Sequence, residues 1–182
     1  MPFFPCKLGL VLLGLGLLSC ASVLPIDPND PLAVNENVHI DRDPFKGTLF
    51  YEGPTVTNDL SDWTDAREIE KISLQAKTEK GHSTRFFLRV IDYYDGDWRG
   101  FDQAFDNEGR KFHALAVRHS VDCKIVCGFD EIIEIELDRD YLEKHLKAGI
   151  TMRLYGPSNA ASAPFHLPPE YLQGFLKGTF TD

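Results

Sequence analysis

Period-two alternation of apolar and polar side chains dominates the middle of this chain. Between residues 83 and 93, Phe86, Leu88 and Val90 fall on one face, with Phe87, Ile91 and Tyr93 on the other. Apolar residues on both faces predict a central strand covered on two sides. Residues 68–78 carry Ile72, Leu74 and Ala76 in the same rhythm, and Glu79-Lys80-Gly81-His82 joins the two segments as a hairpin turn. Asp95-Gly96-Asp97 marks a turn. Residues 98–105 and 111–121 flank Asp106-Asn107-Glu108-Gly109, a second hairpin signal. Residues 131–137 set Ile133, Ile135 and Leu137 against Glu134 and Glu136, a half-buried strand. Residues 47–51 predict a short strand stopped by Gly53-Pro54, and residues 58–65 a polar loop around Trp63.

The helical period appears only late. Asp140 and Glu143 have capping-box spacing, Leu142 and Leu146 share a face, and Gly149 ends the segment. A strand over 150–155 and a loose loop over 157–163 follow. Pro168-Pro169 then opens a last helix carrying Tyr171, Leu172, Phe175 and Leu176 before Gly178. Strands joined by hairpins, with helices only near the end, predict a mainly β protein: an antiparallel two-layer β-sandwich with two short helices near the C-terminus. No internal repeat is present.

The N-terminus follows different rules. An apolar run begins at Leu8 and ends in Leu17-Leu18-Ser19-Cys20, with Lys7 before it. The run has the length of a signal h-region, roughly 7 to 15 residues, and not the roughly 20 of a membrane span. This stretch resembles the lipobox of bacterial lipoproteins, which implies cleavage before Cys20 and a lipid on its thiol. Ala21, where inner-membrane lipoproteins tend to carry Asp, implies the outer membrane by the same resemblance. The Pro-rich, period-free segment that follows predicts a tether of about 25 Å as a coil or about 50 Å as polyproline. The expected organisation is a signal peptide over 1–19, an anchor and tether over 20–37, and one β-sandwich-like domain over 38–182.

Charge narrows the partners. The chain carries a net charge of −9, and loss of Lys7 with the signal makes it more negative. Nucleic acid and anionic head groups reward basic surfaces, so neither is an expected partner. A basic protein or a cation remains open as a partner, beside the plainer reading of a solvated acidic surface.

Candidate chemistry is sparse. Of four cysteines, Cys6 leaves with the signal and Cys20 takes lipid, so Cys123 and Cys127 remain. In an extended strand these two would stand about 13 Å apart, beyond the roughly 7 Å a disulfide allows. A bond needs a turn at Lys124-Ile125-Val126; the alternatives are two buried thiols or a redox pair, for which the spacing is not C-x-x-C. His113, His119, Cys123 and Cys127 offer a zinc donor set. Asp92, Asp95, Asp97, Asp102 and Asp106 offer oxygen ligands, Asp95 and Asp97 foremost, without EF-hand spacing. Tyr93, Tyr94, Trp98, Phe101 and Phe105, with Arg99 beside them, suit a ligand or partner surface. There is no G-x-S-x-G, no H-E-x-x-H and no phosphate-cradling glycine loop, and adjacent His119 and Ser120 point to opposite faces of a strand. No cofactor and no catalytic set are therefore expected.

Tyr94-Asp95-Gly96-Asp97-Trp98-Arg99, together with Arg118, Cys123, Cys127, Glu131 and the closing Leu167-Pro168-Pro169-Glu170-Tyr171-Leu172-Gln173-Gly174-Phe175-Leu176 stretch, resembles a family of uncharacterised proteobacterial envelope proteins. The likeness covers about residues 68–180 and implies compartment and fold, with no activity attached. The expected function is a lipid-anchored, non-catalytic, periplasm-facing envelope protein that binds or scaffolds another envelope protein or polymer. The alternatives are an envelope hydrolase or metal-dependent enzyme using the Asp92 to Asp106 cluster, and a carrier of a small ligand.

Overall fold

The computed structural model describes residues 26–57, 69–95, 98–123 and 127–179, with the backbone alone at positions 95, 122 and 127. The lipobox at Leu17 to Cys20, the loop around Trp63, Asp97 and the proposed turn at residues 124–126 lie outside the described residues. In chain order the elements are α1 (Pro31–Glu36), β1 (His39–Asp43), β2 (Thr48–Glu52), β3 (Val56–Thr57), β4 (Lys71–Glu79), β5 (Arg85–Asp95), β6 (Gln103–Asp106), β7 (Lys111–Cys123), β8 (Cys127–Leu137), α2 (Arg139–Lys144), β9 (Ile150–Tyr155), β10 (Phe165–Leu167) and α3 (Pro169–Thr179).

The protein is mainly antiparallel β, as the alternation requires. Its strands share one hydrogen-bonded path, β1-β2-β4-β5-β8-β7-β6-β9-β10, with β3 beside β4. The path is a single curled sheet in which β7 hands over to β6, where two separate layers were expected. Leu88 pairs with Leu74 on one side and with Ile135 on the other, so the buried phases of β4, β5 and β8 coincide. A one-residue slip at either seam would turn these side chains outward. The opposite face of β5 is only half covered: Phe87 and Ile91 are partly buried and Tyr93 is exposed.

The glycine turns form as the sequence predicts, with φ of +81° at Gly81 and +85° at Gly109. Other elements were not foreseen. β1 is polar at four of its five positions and carries no apolar phase; its pairing with β2 alone holds it in the sheet. The capping box at Asp140 does not form. α2 starts two residues earlier, with Asp138 at the N-cap position but making no side-chain capping bond; Arg110 engages its carboxylate at 2.6 Å instead.

The tether expected over 20–37 is overturned in its last third. Asp30 caps α1 by accepting from the Leu32 and Ala33 amides at 2.9 and 3.2 Å, and Pro31 takes a first-turn position, where its missing N–H costs nothing. Val34 is fully buried in the main core. The contact is close because α3 presents two glycines one turn apart. A Cβ on Gly174 would stand 2.4 Å from the Pro31 carbonyl oxygen, and one on Gly178 2.9 Å from Val38 Cγ2.

α3 closes the apolar face of the sheet with Tyr171, Leu172 and Phe175, while α2 adds Tyr141 and Leu142. Among the described residues no helix is long and apolar enough to cross a membrane.

Candidate functional site

The buried phase of β5 does not stop at its aliphatic residues. After Phe86, Leu88 and Val90 the same face carries Asp92 and Tyr94, and on β8 the phase of Leu137, Ile135 and Ile133 ends in Glu131. Asp92 and Glu131 have no exposed surface, and they are direct cross-strand partners. Two carboxyl groups thus lie side by side in the interior, where each ionised form is costly.

A third member comes from β7. Ala116 opposes Ile133 but Arg118 opposes Ile132, so Val117 is an extra residue, a β-bulge. The bulge reverses the alternation beyond it. His119, and not Arg118, stands opposite Glu131, and Asp92, Glu131 and His119 form a row across three adjacent strands.

The segment after β5 folds back over this row. Arg99 donates to Asp92 Oδ2 at 2.9 Å, with only 13% of its side chain exposed. Its guanidinium lies 4.0 Å from the centre of the Tyr94 ring. The Tyr94 hydroxyl donates to Glu131 Oε2 and accepts from the Arg99 amide, each at 3.0 Å. Tyr94 stacks on Phe129, which meets Trp98 edge-on at 5.3 Å. Trp98 in turn meets His119 at 5.1 Å.

Trp98, Phe101, His113, Leu115, His119 and Glu131 line a cleft of about 550 Å³. Its size falls within the range of small-molecule and side-chain pockets.

Burial dominates the electrostatics. It pushes the Asp92 carboxyl up to about 7, outweighing the opposing pull of the Arg99 cation and its hydrogen bond. Burial likewise raises Glu131, against the Tyr94 hydroxyl, the Gly100 amide and the charge of Arg99. Tyr94 is raised by the same cause. Asp92 Oδ1 and Glu131 Oε1 are buried oxygens with no hydrogen-bond partner among the described residues. Only Glu131 reaches the cleft; Asp92 is shut behind Arg99. The arrangement therefore places one carboxyl oxygen without a hydrogen-bond partner among the described residues, itself buried, beneath the aromatic wall of the cleft.

The structure divides the surface expected from Tyr93, Tyr94, Trp98 and Arg99. Trp98 walls the cleft, Tyr94 is buried and Arg99 half-buried over the row, and exposed Tyr93 faces the other side of the sheet, against Gly128. Phe101 is the buried end of the cleft, whereas Phe105 packs on Tyr155, away from it. The acidic cluster also separates. Asp92 belongs to the row, while Asp106 at the far end of β6 accepts from the Tyr141 hydroxyl and from turn amides. Asp102 is exposed at the cleft, and neither the Asp95 side chain nor Asp97 is described.

His113 and His119 share the cleft, but among the described residues no metal-spaced group includes either of them or Cys123. Cys123 and Cys127 are cross-strand partners at the β7–β8 reversal, a pairing that brings their Cα atoms to roughly 4.5 to 5.5 Å.

Glu131 escaped notice as a site residue although a signal existed: it is a charged residue on the apolar phase of its strand. His119 was expected as a zinc donor; its place opposite Glu131 had no signal, since the bulge has no sequence mark here. No protein-family model, no curated protein and no solved structure matches this chain.

Proposed function

We propose that this protein is a lipid-anchored, non-catalytic binding module of the bacterial outer membrane, facing the periplasm. In this reading Cys20 carries the lipid, and the cleft receives a basic group from another envelope protein or polymer. Glu131, which lines the cleft and whose buried Oε1 has no hydrogen-bond partner among the described residues, carries the proposal; an incoming cation would reach it by a shift of the side chains above it. A carboxyl oxygen beside Trp98 and His119 suits an ammonium or guanidinium, which gains from both the charge and the aromatic face. Formal net charge of −9 favours the same sign of partner. A hydrolase built on the Asp92 to Asp106 cluster is disfavoured because the fold disperses that cluster: Asp92 is closed off by Arg99, and Asp106 accepts from the Tyr141 hydroxyl at the far end of β6. The cleft volume of about 550 Å³ keeps a small-ligand carrier as the second reading. A Cys123–Cys127 disulfide closing the β7–β8 hairpin belongs to the proposal, supported by the cross-strand register.

Two measurements test it. A photo-crosslinking residue at Leu115, exposed on the cleft rim, is expected to capture one partner in intact cells, with capture lost when Glu131→Gln is added. No capture at native expression, or capture indifferent to Glu131→Gln, overturns the cleft as the binding site. Intact mass of the mature protein is expected to show lipid on Cys20 and a two-proton deficit that reductant restores. Absence of the lipid, or two thiols that alkylate without reductant, removes the corresponding part of the proposal.

A further inference from the structure

At the other end of β6 three ligand-type side chains meet without any role in the cleft. Asp106 is held rigidly: Oδ1 accepts from the Glu108 and Arg110 amides at 3.0 and 2.8 Å, and Oδ2 from the Tyr141 hydroxyl at 3.0 Å. His145, the C-cap of α2, is 96% buried, at 4% exposure. Its Nδ1 lies 2.7 Å from the Tyr141 carbonyl oxygen. A carbonyl can only accept, so Nδ1 carries the hydrogen and donates it. In the neutral ring this places the lone pair on Nε2.

That Nε2 is buried and has no hydrogen-bond partner among the described residues. It points at Glu108, whose Oε1 is 4.0 Å away. One ligand atom from each of Asp106, Glu108 and His145 lies within 4.8 Å of the other two. A lone pair facing two carboxylates is repulsive unless a proton or a metal cation sits between them.

We propose that Asp106, Glu108 and His145 form a divalent metal site of the zinc class. An imidazole nitrogen and two carboxylates are zinc donors at roughly 2.0 to 2.2 Å, and the fourth position is left for water. The histidine arrangement is the one metal ligands use, one ring nitrogen pinned by a backbone carbonyl so that the other presents its lone pair. Asp106 retains acceptor capacity on Oδ2 beyond the Tyr141 bond. The contraction of the donor separations, which lie within 4.8 Å, to the roughly 3.3 to 3.6 Å that tetrahedral zinc bonds imply falls on Glu108, whose side chain is 54% exposed. Lys144, at Glu108 Oε2, occupies the solvent side and leaves Oε1 turned toward His145. Bound metal would tie the β6–β7 turn to the end of α2.

The test uses the full mature chain, dialysed and titrated with zinc, then with cobalt for its visible spectrum. One zinc per chain is expected, with a rise in Tm and a tetrahedral or five-coordinate cobalt absorption. Glu108→Gln, a change at an exposed side chain, is expected to weaken zinc binding by at least about tenfold and to abolish the Tm rise, and His145→Gln to do the same. Should His145→Gln fail to fold, Glu108→Gln alone decides. Absence of stoichiometric zinc at micromolar concentration overturns the proposal. So does zinc binding that Glu108→Gln leaves unchanged, which would place the ion at other residues. A zinc-free protein whose Glu108-dependent stability appears only on acidification also overturns it, because Nε2 would then hold a proton instead.

Discussion

Asp92→Asn is expected to gain stability relative to the parent as pH rises, by up to about 4 kcal/mol between pH 4 and pH 8. The folded protein holds the Asp92 carboxyl at about 7, well above the ordinary carboxylate range the unfolded chain returns to. Between those two values the folded state binds the extra proton. Stability from this group is therefore complete at low pH and is lost as pH climbs through about 7. Asparagine does not titrate, so the variant is spared that loss. The difference between variant and parent is the quantity to measure, by urea unfolding at several pH values. Glu136 and Glu79, held below their ordinary range chiefly by hydrogen bonds from Arg85 and Lys77, slope the other way in both proteins and cancel. A pH-independent difference would show that Asp92 is ionised in the fold throughout. Glu131, raised mainly by burial, acts with the same sign, so Glu131→Gln repeats the trend. The neighbouring carboxyls share one network, so the two effects are not expected to add.

The other large effect lies at Tyr171, a fully buried side chain. Its hydroxyl donates to the Pro54 carbonyl at 2.7 Å and accepts from the Leu74 amide at 3.2 Å, joining α3 to β4 and to the turn after β2. Tyr171→Phe strands both backbone groups in the interior and is expected to cost about 1 to 3 kcal/mol. Tyr171→Ala adds a cavity and is expected to cost about 3 to 5 kcal/mol, a large share of the 5 to 15 that holds a typical domain. Chemical denaturation of the two variants checks this. A Tyr171→Phe protein as stable as the parent would mean that water or a shifted backbone satisfies Pro54 and Leu74.

These two positions show how differently the fold was legible. The C-terminal helix was read from Pro168-Pro169 and the spacing of Tyr171, Leu172 and Phe175, and it forms over Pro169–Thr179. What the Tyr171 hydroxyl would meet, more than 90 residues earlier in the chain, had no local signature. Gly178 read only as a helix stop, and Gly174 only as part of the closing stretch. Their use is tertiary, since they admit α1, whose own six residues are too few to announce a helix.

The candidate site divides along the same line. Trp98 and Arg99 were visible as unusual residues, and Asp92 as one acid of a cluster. The cluster was sorted by neighbours that sequence distance hides: Arg99 and Glu131 for Asp92, Tyr141 for Asp106.

The strands β4, β5 and β8, their buried phases and the glycine turns at Gly81 and Gly109 follow from the sequence alone, because period-two alternation and positive-φ glycines act within a few residues. An acid on an apolar phase is legible in the same way, as Asp92 and Glu131 demonstrate. Sheet order, the Val117 bulge that turns His119 toward Glu131, and the meeting of His145 with Asp106 were decided only in the tertiary structure. Each depends on contacts between segments far apart in the chain, whose geometry is set by the packing of the whole sheet.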